Sequence, residues 1–171
     1  MSKETLVIND ANILFDLMSI ELLELFCQIP IRKFTTDFVI HEIKNPDQIK
    51  IIKSCISKEQ IIEKKFSSDE VVKIYQLQQT KHAQTLSFTD CSVWYLAKEL
   101  NGILLTGDNK LRKIASDDSV QVHGILHVLE MLVDYNIVPA RKMADKLVKL
   151  KEINSRLPKD ACEKLIEKWK K

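Results

Sequence analysis

The amino-acid sequence predicts an α/β fold of three layers: a parallel central sheet with helices on both faces, followed by a helical C-terminal extension. Short apolar runs at 6–9, 31–35, 60–66, 103–106 and 120–123 alternate with longer amphipathic stretches. Strands separated by helices need crossover connections, which makes the sheet parallel and covers both of its faces. From Gly124 onward the pattern is helical, broken near 136–139 and at Pro158.

The elements follow in order. The strand at 6–9 is four apolar or small residues bounded by polar ones. Leu14 and Leu17, then Leu22, Leu25 and Phe26, stand three or four apart, which predicts one helix over 13–28. A strand over 31–35 leads to Thr36, which caps a helix through Val39, Ile40 and Ile43; Pro46 ends it. A helix over 47–57 precedes a strand over 60–66. Ser67 with Glu70 and Ser87 with Asp90 have capping-box spacing. They open helices running to about residue 80 and to residue 101, the second stopping at Gly102. A strand over 103–106, a helix over 109–115 and a short strand over 120–123 complete the sheet.

A chain of 171 residues, 45% apolar and 29% charged, suits one globular domain. No apolar run approaches the roughly 20 residues that span a bilayer. Met1-Ser2-Lys3-Glu4 carries no secretory pattern, so a cytoplasmic protein without membrane contact is expected. Cys27, Cys55, Cys91 and Cys162 are widely separated and form no Cys-x-x-Cys pair. That pattern argues against a zinc site and for reduced, mostly buried thiols. Residues 1–138 hold 15 Lys and Arg against 19 Asp and Glu, whereas residues 139–171 hold 11 against 5. An acidic body with a basic tail suits a polyanion or an acidic partner, and equally a solvated helical face. The expected division is an α/β domain over 1–138 with a basic helical extension over 139–171 packed on it.

Four acids stand where apolar sequence meets polar: Asp10 and Asp108 just beyond two strands, Glu42 and Asp90 on helices. In parallel sheets ligands bind beyond the carboxyl ends of the strands. Carboxylates gathered there raise each other's pKa, a penalty that a hard, oxygen-preferring cation removes. Mg²⁺ or Mn²⁺, as one or two ions, suits such donors and supports phosphodiester hydrolysis. No glycine-rich phosphate loop is present. Taken singly, Asp108 fits an N-cap, Asp90 the acidic half of a capping box and Glu42 a solvated helix position, while Asp10 has little structural need. His123 and His127 read as ordinary histidines, Asp117 and Asp118 as a solvated turn, and Asp16 and Asp37 as surface residues. Cys91, Trp94 and Tyr95 read as core.

Asp10 and Asn12 after the first strand, Glu42 on the second helix, Asp90 opening a mid-chain helix, and Thr106 with Asp108 after a later strand resemble the four motifs of PIN-domain nucleases. Order and rough spacing match over residues 5–116, and 122–126 resembles a strand and glycine turn found late in bacterial PIN toxins. The resemblance implies a pocket of Asp10, Glu42, Asp90 and Asp108 for Mg²⁺ or Mn²⁺. In it Asn12 would brace the site, and the Thr106 hydroxyl would hold a metal-bound water or Asp108. It includes VapC-type ribonuclease toxins, which work as homodimers alongside an antitoxin protein. Ala11 stands where many members carry Thr or Ser, and this chain is longer than typical toxins. The function expected is endonucleolytic hydrolysis of single-stranded RNA, with Lys110, Arg112 and Lys113 on the phosphate backbone. The alternatives are a non-catalytic RNA- or protein-binding module of the same fold and a nuclease acting on structured DNA.

Overall fold

Each short apolar run forms a strand that leads within three residues to the cap of a helix. The computed structural model describes residues 5–80 and 82–171; the reading of 1–4 lies outside them. In chain order the elements are β1 (Leu6–Asn9), α1 (Ala11–Ser19), α2 (Leu23–Phe26), β2 (Arg32–Thr36) and α3 (Asp37–Glu42). They continue with α4 (Pro46–Ser57), β3 (Ile62–Lys64), α5 (Ser68–Gln78), α6 (Phe88–Leu100) and β4 (Ile103–Leu105). The last are α7 (Asn109–Asp117), β5 (Val122–His123), α8 (Ile125–Asp134), α9 (Ala140–Ile153) and α10 (Lys159–Lys170).

The sheet is parallel throughout, in the order β3-β2-β1-β4-β5. The central strand β1 pairs Val7 with Lys33 on one side and with Ile103 on the other. Helix α6 lies across β1, β2 and β4, with α5 and α7 beside it. α1, α2, α8 and α9 form the other packed group. Right-handed crossovers put those two groups on opposite faces, because the chain leaves β1 toward β2 and later returns past β1 to β4. Val7, Ile8, Leu104 and Leu105 are fully buried between them. This is the three-layer α/β fold predicted above.

Four details differ from the sequence reading. The helix expected over 13–28 is two helices, broken at Glu21, whose φ is 58°. Ile20, Leu22 and Leu23 are all buried; on a straight continuation of α1, Leu23 would point away from the stripe of Ile13, Leu14, Leu17 and Met18, so burying it requires the chain to turn. Pro46 does not end α3. It opens α4 at the first helical position, behind the Asn45 cap, where its missing N–H costs nothing. The left-handed residue ending α6 is Asn101 (φ 49°), not Gly102. Gly102 is small because an added Cβ would run into Leu6 Cδ1 and come within 2.7 Å of Ile8 Cδ1. Finally, β3 and β5 are shorter than the apolar runs that announce them.

The C-terminal helices share the core. Met143, Ala144, Leu147 and Leu150 of α9, and Cys162 and Trp169 of α10, are buried. Lys33 is buried, and its Nζ donates to Ile29 O (2.6 Å), Ile31 O (2.9 Å) and Cys27 O (3.4 Å). These carbonyls lie in the turn that follows α2, and Ile29 O also accepts from Ile31 N (2.8 Å).

Candidate active site

Asp10 ends β1 and begins α1. Its backbone N–H continues the sheet by donating to Leu105 O (3.0 Å), and its Oδ1 caps α1 by accepting from Ala11 N (2.8 Å). Oδ2 accepts from the Thr106 hydroxyl (2.7 Å) and from Asn12 Nδ2 (3.2 Å). Only 3% of the residue is exposed. Burial, the largest influence, pushes its carboxyl up to about 6; the Thr106 and Ala11 bonds oppose the rise, and the charges of Asp90 and Glu42 add to it.

Thr106 and Asn12 lock this corner together. Besides donating to Asp10, the Thr106 hydroxyl accepts from Asp108 N (3.1 Å) and Asn12 Nδ2 (3.4 Å). Asn12 Oδ1 accepts from Gly107 N (2.7 Å). Thr106 therefore holds the Asp10 carboxylate and touches Asp108 only through its backbone. Asp108 is the N-cap of α7, its Oδ1 accepting from Leu111 N (2.9 Å). Asp90 is the third residue of α6, and its Oδ2 accepts from Ser87 N (3.1 Å) in a complete capping box. Burial raises its pKa, the Ser87 bonds oppose that, and the charge of Asp108 adds to it. Glu42 is the exposed last residue of α3.

All four acids therefore stand at one edge of the sheet and act on one another electrostatically. Three of them also hydrogen-bond helix starts, Asp10 among them, which the sequence reading had credited with little structural need. The helices carrying Glu42 and Asp90 are tied by Thr36 Oγ1 and Ser92 Oγ at 2.9 Å, both buried. Thr36 Oγ1 also caps α3 through Val39 N, and Ser92 Oγ donates to Thr89 O. Ser92 escaped the sequence reading; its signal is a serine two residues after Asp90 on an otherwise apolar helix face.

The donor set is entirely oxygen, the chemistry of Mg²⁺ or Mn²⁺ with waters completing the shell. Among the described residues Asp90 Oδ1 and Asp108 Oδ2 have no protein hydrogen-bond partner. Those residues contain no group of three His, Cys, Asp or Glu side chains close enough to hold an ion. The acids offer a hard cation oxygen donors of suitable chemistry, but among the described residues they do not converge on one ion position, and three of them are bonded to helix starts.

Beside Asp108 and Asn12 opens a groove of about 680 Å³, also lined by Arg112, Asp16, Asn154 and Arg156. Arg112 is half-buried in this groove, whereas Lys110 and Lys113 are exposed on α7 and lie outside its lining. Asp16, read as a surface residue, is half-buried: both its oxygens accept from Asn154 Nδ2 (3.1 and 3.2 Å), and burial pushes it up to about 6. Asp118 does not form a purely solvated turn. It accepts from Trp94 Nε1 (2.9 Å) and pairs with Lys98 (2.8 Å). His123 and His127 stack at 3.9 Å, each with its pKa lowered mainly by burial. Cys91 is buried and its thiol pushed up to about 12 by burial, so it reads as core rather than nucleophile. All four cysteines are free and buried, and Trp94 and Tyr95 are buried too. No described helix is long and apolar enough to cross a membrane.

No curated protein matches the chain. A family model described as a PIN domain matches residues 6–171. PIN domains are generally nucleases and typically use divalent metals. The four strand-edge acids and the parallel sheet agree with that match, which runs through the basic C-terminal helices: the chain belongs to the PIN-domain family.

Proposed function

We propose that the chain is a metal-dependent endoribonuclease that hydrolyses phosphodiester bonds of single-stranded RNA. The observation that carries this reading is Asp10: a carboxyl pushed up to about 6 and buried within reach of the charges of Glu42 and Asp90. Ionising a buried carboxyl beside two others costs energy that a bound cation would offset. Asp10, Glu42, Asp90 and Asp108 would hold Mg²⁺ or Mn²⁺, as one ion or two. The bound cation supplies charge neutralisation at phosphorus and water of lowered pKa. Asn12 and Thr106 keep Asp10 in one rotamer. Arg112, with Lys110 and Lys113 on the same helix, neutralises backbone phosphates. The reading extends to a toxin acting as a homodimer and held by an antitoxin protein in the cytoplasm.

The test is cleavage of end-labelled single-stranded RNA, and of matched single-stranded and structured DNA, with Mg²⁺ or Mn²⁺, comparing the wild type with Asp10→Asn. Asparagine keeps the oxygen that caps α1, so the fold persists while the charge is lost. RNA cleavage is expected to fall at least about 100-fold, the scale on which an electrostatic group acts in catalysis. Undiminished cleavage by the variant overturns the site. The helix-start bonds of Asp10, Asp90 and Asp108 favour a second reading, a non-catalytic binding module. RNA binding without cleavage in either metal would support it.

A further inference from the structure

The groove beside Asp108 holds two cationic groups without anionic partners. Arg112 projects from α7, and Arg156 lies in the loop joining α9 to α10; both line it. Among the described residues neither guanidinium has a carboxylate within ion-pair distance, although Asp16 and Asp108 line the same space. Asp108 belongs to the acid set. Asp16 is engaged by Asn154, whose Oδ1 in turn accepts from Arg156 N (3.0 Å). The loop is thus fastened to α1, and Arg156 is presented from a backbone that is itself held.

Arg112 also stands beside a helix start that lines the groove. Arg112 Nη1 stands 3.2 Å from where a Cβ on Gly124 would lie. Gly124 is the N-cap of α8 and offers no side-chain acceptor to the first-turn N–H groups. A guanidinium beside an uncapped helix start places two positive ends together, an arrangement relieved by an anion between them. The groove volume, about 680 Å³, falls in the range of roughly 300–1,000 Å³ typical of small-molecule sites.

We propose that this groove is a backbone track for single-stranded RNA on one side of the scissile bond, with one phosphate at Arg112 and a neighbouring one at Arg156. The proposal rests on reading the acid edge as a nuclease site, since Asp108 and Asn12 border both. It gives the basic C-terminal segment a part in substrate binding through Arg156. A planar guanidinium suits phosphate oxygens better than a lysine does.

The experiment is fluorescence anisotropy with a labelled single-stranded oligoribonucleotide in EDTA over a range of NaCl, on the full chain carrying Asp10→Asn. Arg112→Gln and Arg156→Gln should each weaken binding and flatten the slope of log affinity against log salt by about 0.7, the value for one phosphate contact on a single strand. Arg156→Lys should restore most of the slope. Lys142→Gln, on the exposed side of α9, should change neither quantity. Unchanged slopes in both Arg→Gln variants overturn the track, as does an acidic peptide binding there in place of RNA. If RNA is cleaved with full dependence on Asp10 but the slopes do not move, the track alone falls. If binding depends on both arginines but no RNA is cleaved in Mg²⁺ or Mn²⁺, the nuclease reading alone falls.

Discussion

Asp10 carries a cost that its fold imposes. Its carboxyl ionises near 3.8 when free and near about 6 when folded. Between those values the folded chain binds the extra proton, so the stability of the metal-free protein falls as pH rises from about 4 to 6. Above pH 6 the full penalty remains, about 3 kcal/mol by linkage. Asp10→Asn removes that ionisation, so in EDTA at pH 7 the variant should be more stable by up to about 3 kcal/mol. The difference from wild type should shrink toward pH 4; urea titrations across this window measure both. Asp16 titrates in the same window in both proteins, so the comparison isolates Asp10. A less stable variant at pH 7 would mean that hydrogen bonding outweighs desolvation. Thr106→Val tests the opposing influence: it removes a bond to a charged acceptor, expected to cost about 1.5–3 kcal/mol in the same titrations. The sequence made Asp10 visible as an acid one step beyond a strand, and Thr106 through the motif it forms with Asp108. It did not reveal that Thr106 holds Asp10, because β1 and β4 become neighbours only once the sheet forms.

Elements aim the acids. α6 carries Asp90 and is fixed by its capping box, by the Thr36–Ser92 bond and by Trp94 on Asp118. Ser87→Ala should destabilise the protein by about 1 kcal/mol, read as a lower urea midpoint with unchanged slope. Gly102→Ala should destabilise by about 1–3 kcal/mol, because its methyl group meets Leu6 and Ile8 across β1. Capping boxes were legible before folding, since their partners lie three residues apart. The break between α1 and α2 was not. Leu14 with Leu17 and Leu22 with Leu25 each fit a helical stripe, and the five-residue step from Leu17 to Leu22 was the only sign of a turn. Asp16 was misplaced for a related reason: its partner Asn154 lies 138 residues away, beyond any local pattern.

The whole molecule joins its acidic and basic segments through one core. Met143, Leu147 and Leu150 of α9 are fully buried, and burying each such side chain contributes about 1.5–3 kcal/mol. Together with Trp169 they account for stabilisation on the scale of an entire domain, about 5–15 kcal/mol. A chain ending at residue 138 should therefore lose cooperative unfolding and near-ultraviolet circular dichroism. A sharp, native-like transition in that shortened chain would show that the α/β body folds alone. The parallel sheet was legible from alternation of strand and helix patterns. The packing of α9 was not, since its amphipathic face names no partner.

The two tryptophans fall on opposite sides of that junction. Trp94 lies on α6 among the acid-bearing elements, and Trp169 on the last turns of α10; both are buried. With Trp169→Phe and Trp94→Phe, intrinsic fluorescence becomes a separate gauge of each segment. Emission from either should shift to the red at the same urea concentration if the core is shared. The chain thus carries its own pair of optical markers, one in the body and one in the tail.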